Sequence, residues 1–139
     1  MSQHLQICET VPLFADEIFS RVADHERLGK VLGVPIKRSR DGDGDINGLG
    51  SVRTLGLRPL DFDETVTRFD PPRRIDYRIS RGSPLRDHRA SIVFSPNGAA
   101  TEVTWTIDFD TRLPLLGSVV KRALALGIRH GLRKLGASR

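Results

Sequence analysis

Five side chains that can do chemistry fall on one face of a sheet when the strands are laid out by alternation: Arg53, Glu64, Tyr77, His88 and Trp105. An arginine beside a carboxylate can position a substrate or polarise a carbonyl, and a tyrosine or histidine can move a proton. An indole supplies a flat apolar wall with a single donor. No Ser, Cys or carboxylate stands at a spacing that fixes it beside His88, so no nucleophile and base are assigned and the catalytic residues stay unknown. A face that is mostly apolar, with a few convergent polar groups, is what a small-ligand pocket needs.

The placement comes from period-two patterning. Reading Arg58-Pro59 as the loop of a tight hairpin sets Leu57 opposite Leu60, Leu55 opposite Phe62, Arg53 opposite Glu64 and Ser51 opposite Val66. Leu55, Leu57, Leu60, Phe62 and Val66 then share the inner face, and a one-residue slip would expose all of them. Ile75, Tyr77 and Ile79 alternate with Arg74, Asp76 and Arg78, while Ala90, Ile92 and Phe94 alternate with Arg89, Ser91 and Val93. Pairing those two strands brings His88 inward near Ile79. Val103, Trp105, Ile107 and Phe109 continue the face. Arg53 and Glu64 are therefore expected side by side in an apolar setting, where a pair is costly unless both partners are satisfied.

The elements follow from the same patterns. Residues 3–10 alternate as a first strand. Pro12 suits the first turn of a helix carrying Leu13, Phe14, Ile18, Phe19, Val22 and Ala23. Asp24 can cap a second short helix with Leu28, Val31 and Leu32, ended by Gly33. Six more strands are expected near 34–40, 50–57, 60–69, 73–81, 87–95 and 101–110. Their separators are turn-like: Arg58-Pro59, Asp70-Pro71-Pro72, Gly82-Ser83-Pro84 and Pro96-Asn97-Gly98. After Pro114 the period returns to helix. There Ala123, Gly127 and Gly131 recur every fourth residue, a small-residue stripe that would leave space if it faced the sheet. The order predicts an α+β fold in one domain over residues 1–139: an antiparallel meander with a final helix able to cover its apolar face.

Composition narrows the function classes. A chain of 139 residues with 38% hydrophobic and 28% charged residues can build one globular core and is neither disordered nor a disulfide scaffold. One cysteine, Cys8, allows no internal disulfide, which favours a reducing, cytoplasmic setting. The start MSQHLQICET lacks the apolar run of a signal peptide, and no segment is apolar enough to span a membrane. The net charge of +5 is concentrated at the end: Arg112, Lys121, Arg122, Arg129, Arg133, Lys134 and Arg139 share residues 111–139 with no acid. That stripe fits weak contact with an anionic membrane surface or an acidic partner. It lacks interleaved aromatics, so nucleic acid is not expected.

Asp41, Asp43 and Asp45 suggest a calcium loop, but Ile46 stands where that loop wants glycine and Val52 where it wants glutamate. GLGS at 48–51 has Arg53 in place of a third glycine and leads into a strand. His4, His25, His88 and His130 are scattered without metal-ligand spacing. No metal and no cofactor is expected.

The layout, with VPLFADEIFSRVADHERL, GLGSVRTL, DETVTRFDPPRRIDYRI and TEVTWTIDF, resembles the SRPBCC superfamily over nearly the whole chain. It is most similar to the polyketide cyclase/dehydrase and lipid-transport branch, which has the Bet v 1-like, START-like helix-grip fold. The resemblance implies a curved antiparallel sheet of about seven strands wrapped around a long C-terminal helix. It implies two short helices after strand 1 and a hydrophobic cavity between sheet and helix that holds a small hydrophobic or amphipathic molecule. Carriers and enzymes share this fold, so it does not choose between binding and a cyclase- or dehydratase-like reaction. The residues expected to line the cavity are Arg53, Leu55, Phe62, Glu64, Val66, Tyr77, His88, Ile92, Trp105, Ile107, Phe109, Ala123, Gly127 and Gly131.

Overall fold

A computed structural model describes residues 2–82, 85–111 and 114–137, apart from the side chains of Pro114 and Leu115. The elements run β1 (Ser2–Val11), α1 (Ala15–Ala23), α2 (His25–Leu32), β2 (Ile36–Arg40), β3 (Val52–Leu55), β4 (Phe62–Asp70), β5 (Arg74–Arg81), β6 (Arg86–Asn97), β7 (Ala100–Asp110) and α3 (Pro114–Ala137). All strand pairs are antiparallel, in the order β1-β7-β6-β5-β4-β3-β2. Consecutive strands β2 to β7 are sheet neighbours, with the longest of their connections, residues 41–51, between β2 and β3, and β1 returns to pair with β7. The layout is the expected helix-grip α+β arrangement.

The two short helices begin and end for local reasons. Asp24 caps α2 by accepting from the Arg27 amide at 3.2 Å, and Gly33 ends it in the left-handed conformation at φ 69°. The start of α1 differs from expectation. Phe14 is its N-cap, Pro12 lies in the turn before it, and the Phe14 side chain is 62% exposed. That turn is tied down by the Leu13 amide donating to the Val11 carbonyl and by Thr101 Oγ1 donating to the Leu13 carbonyl. Inside, Phe19 packs against Phe69 and Phe94, with ring centroids 5.3 and 5.1 Å away. The buried Arg21 side chain donates to the Leu135 carbonyl and to Glu17, joining α1 to the end of α3.

The β3–β4 register is as the alternation predicts, with Arg53 opposite Glu64 and Leu55 opposite Phe62. The tight turn is not. The ladder stops at Leu55 and Phe62, and residues 56–61 form a longer loop. Leu57 and Leu60, expected inside, are 72% and 85% exposed. Gly56 is the reason: at φ 86° it turns the chain away, and its amide donates to the Pro35 carbonyl instead of continuing the β3–β4 pairing.

The small-residue stripe of α3 also requires correction. Ala123 is exposed, and Gly131 faces α2, where an added Cβ would lie 2.6 Å from Leu32 Cδ2. Among the described residues the helix packs chiefly along β1 and α2. Its C-terminal half carries the buried Ile128, Leu132 and Leu135, whereas Leu116, Val120 and Leu124 in its N-terminal half are only half-buried. Gly127 stands at the transition, and a Cβ there would meet nothing within 4 Å. Gly127→Ala is therefore expected to stabilise the fold by about 1 kcal/mol through helix propensity alone. Urea unfolding checks this; a loss of stability would mean that the position is already filled.

Candidate functional site

The site grows from neighbouring inward positions on β3, β4, β5, β6 and β7. Arg53 Nε donates to Glu64 Oε1 at 2.9 Å, with both side chains over nine-tenths buried. The Arg53 guanidinium lies 4.6 Å from the centre of the Tyr77 ring, a cation–π contact in a desolvated setting. Val66 pairs with Tyr77 and Glu64 with Ile79, which carries the cluster from β4 to β5. Tyr77 pairs with Ala90, and Ile92 with Trp105. The Trp105 Nε1 group donates to the Tyr77 hydroxyl at 2.9 Å, and the two rings meet edge to face. The His88 ring lies 5.7 Å from that of Tyr77.

Electrostatics follow from this burial. Desolvation, with help from the Glu64 charge, pushes the Tyr77 phenol well above its ordinary range, so it acts as a neutral hydroxyl. Burial lowers His88, opposed by Glu64 and assisted by Arg53. His25, at the start of α2, joins the cluster from the other side. It is 1% exposed, and burial followed by the charges of Arg53 and Arg38 pulls it down to about 3. Neither His25 Nδ1 nor His88 Nδ1 has a hydrogen-bond partner among the described residues. The sequence weighs His25 only as a metal ligand and so misses it as a site residue. It stands three residues before Leu28 and shares that residue's buried face, which is the signal that could have found it.

Of the fourteen expected cavity residues, nine are buried together on the inner face: Arg53, Glu64, Val66, Tyr77, His88, Ile92, Trp105, Ile107 and Phe109. Leu55 and Phe62 are half-buried nearer the edge. Ala123 is on the solvent side, Gly131 on the α2 side, and Gly127 faces open space. A recess of about 890 Å³ lies where β1, β5, β6 and β7 reach the same end of the sheet. Its lining includes Gln3, Ile79, Leu85, His88 and Phe109, with Arg78, Arg89, His4 and Asp108 from the outer face. Gln3 sits tightly against Gly117 of α3, so the recess adjoins the less buried half of that helix.

The family described as polyketide cyclase / dehydrase and lipid transport matches residues 3–138. The chain belongs to this family. Solved structures agree on the fold. A crystal structure of Ara h 8.0201 is 16% identical, with TM-score 0.71 and 95% of each chain covered. TTHA0849 from Thermus thermophilus is 16% identical, with TM-score 0.77 and coverage of 96% of this chain and 94% of that one. A truncated norcoclaurine synthase from Thalictrum flavum is 14% identical, with TM-score 0.70 and coverage of 100% and 96%. No curated protein matches the sequence. At these identities the structural likeness speaks for the helix-grip, Bet v 1-like fold and not for a reaction. Membership of the polyketide cyclase / dehydrase and lipid transport family supports a hydrophobic ligand as the object of binding.

Proposed function

We infer that the protein binds a small hydrophobic or amphipathic molecule between the inner face of the sheet and the N-terminal half of α3, through the recess at the strand ends. The observation that carries this reading is the recess itself. Its lining joins the apolar Ile79, Leu85 and Phe109 to a larger set of polar and charged residues, and it reaches the buried His88, whose ring lies beside Tyr77 of the Arg53–Glu64 cluster. A concave wall that sets apolar surface beside fixed polar groups favours an amphipathic molecule held in a set orientation.

The basic end of α3 supports a membrane role less well. Arg129 and Arg133 lie 3.8 and 3.2 Å from Glu9 of β1, which draws part of the stripe into the fold. Among the described residues no helix is long and apolar enough to cross a membrane.

Trp105 and Tyr77 are the sole tryptophan and tyrosine, so indole fluorescence reports on this cluster alone. Native mass spectrometry of gently purified protein, with solvent extraction, is expected to reveal a stoichiometric apolar adduct. The extracted protein is then expected to bind neutral N-phenyl-1-naphthylamine with a change in Trp105 emission. A clean apo mass, no probe binding and an unchanged emission spectrum would together overturn the reading.

A further inference from the structure

Two arginines that line the recess are left without a counter-charge. Arg78 of β5 and Arg89 of β6 stand directly opposite each other in the sheet, and both are exposed. Neither has an ion pair or a side-chain hydrogen bond among the described residues. Other arginines of β4 and β5 are neutralised in place: Arg68 donates to Asp70, Arg74 to Asp76, and Arg81 to Asp61 and Asp63. Like charges directly opposite in an antiparallel pair are unfavourable. The acids of the recess are mostly engaged elsewhere. Asp108, the β7 neighbour of Arg89, accepts from His4 Nδ1 at 2.6 Å. Asp110 stands opposite Arg86. Of the acids in the lining, Asp87 alone is left against the two arginines.

We propose that the amphipathic molecule bound in the recess ends in an oxyanion, a carboxylate or a phosphate, and that Arg78 and Arg89 hold this group between them. The proposal rests on the ligand-binding reading above and names the polar end of that ligand. Each guanidinium offers a planar fork of donors that fits two oxygens of a carboxylate or a phosphate. An oxyanion between the two forks turns a repulsive contact into charge-assisted hydrogen bonds. The site is concave, which focuses the field of the two charges and raises their pull on an anion above that of a flat surface. Ile79, Leu85 and Phe109 line the same recess and offer apolar surface to the rest of the molecule. An uncharged polar end would leave the repulsion between the arginines in place.

Calorimetric titration of the intact protein at neutral pH and low salt with 2-naphthoate, 2-naphthyl phosphate and 2-naphthol tests this. The tighter of the two anions is expected to bind about tenfold more strongly than the uncharged naphthol, which corresponds to about 1.4 kcal/mol, and its identity names the oxyanion. In the double variant Arg78→Gln with Arg89→Gln that preference is expected to shrink below about twofold, with the naphthol affinity kept. The matched double variant Arg68→Gln with Arg74→Gln removes the same charge outside the recess and is expected to keep the preference. Thermal melts establish that each variant folds; if Arg78→Gln with Arg89→Gln does not, the two single variants decide, each expected to lose part of the preference. Equal binding of the naphthol and both anions overturns the inference and leaves the ligand-binding reading standing. An anion preference that survives in folded Arg78→Gln with Arg89→Gln also overturns it. A preference that falls as far in the matched variant overturns it in favour of attraction by net charge. No binding of these three or of N-phenyl-1-naphthylamine overturns both.

Discussion

Replacing Glu64 by leucine is expected to lower folding stability by about 3–5 kcal/mol, because it leaves the Arg53 charge buried without its partner. Arg53 is 5% exposed and its Nε donates to Glu64 Oε1, so water cannot readily take the place of the carboxylate. The contact between the guanidinium and the Tyr77 face adds to what an unneutralised Arg53 would disturb. The double change Arg53→Met with Glu64→Leu is expected to recover most of the loss. Two apolar side chains of similar size avoid the desolvation of both charges, and such replacements are often neutral or stabilising. Equilibrium unfolding in urea of the wild type, both single variants and the double variant gives the coupling directly. A loss below about 1 kcal/mol in Glu64→Leu would show that solvent reaches the pair after all. Since Arg53 lies over the ring that pairs with Trp105, both single variants are also expected to shift Trp105 emission.

Acidification is expected to destabilise the protein by way of His25. Its pKa is about 3 in the folded protein and close to 6.5 in the unfolded chain. The folded state therefore binds this proton less readily, and the neutral ring contributes full stability only above the unfolded value. As pH falls from about 6.5 towards 3, protonation favours the unfolded chain, and the loss reaches about 2 kcal/mol by pH 5. His25→Leu removes this contribution, so the stability difference between variant and wild type is expected to move in the variant's favour as pH drops. His88 is lowered by burial as well and adds loss of the same sign. Urea midpoints for both proteins across this range provide the measurement. An unchanged difference would mean that water or a rotated ring supplies His25 with a partner.

Period-two alternation was legible because its cause is local. Val52 to Leu55 and Phe62 to Val66 place every second side chain inward, and centring the hairpin on Arg58-Pro59 gives the Arg53–Glu64 pairing, a register that the longer loop keeps. The cap at Asp24 and the stop at Gly33 are equally local. The exposed tip with Leu57 and Leu60 was not legible. Its path depends on an amide at Gly56 reaching Pro35, a residue from a different strand connection. His25 escapes a sequence reading for a related reason. Its burial, the main cause of its lowered pKa, comes from α2 packing against α3, β2 and α1, and the charges that add to it sit on Arg53 and Arg38, distant in the chain.

By itself, the sequence determined the α+β order of elements, the inward face of the sheet and the family resemblance that the match over residues 3–138 bears out. These rest on side-chain period, capping and hairpin spacing, which act over a few residues. Only the tertiary structure decided where α3 lies. Helical periodicity defined a broad face but not its partner, and packing against β1 and α2 turned Gly131 towards Leu32 and left Ala123 in solvent. The same packing leaves the first half of α3 less buried beside the recess. The bulge at Asp87 then brings His88 to its lining, because two residues of β6 opposite one of β7 shift the side chains that follow.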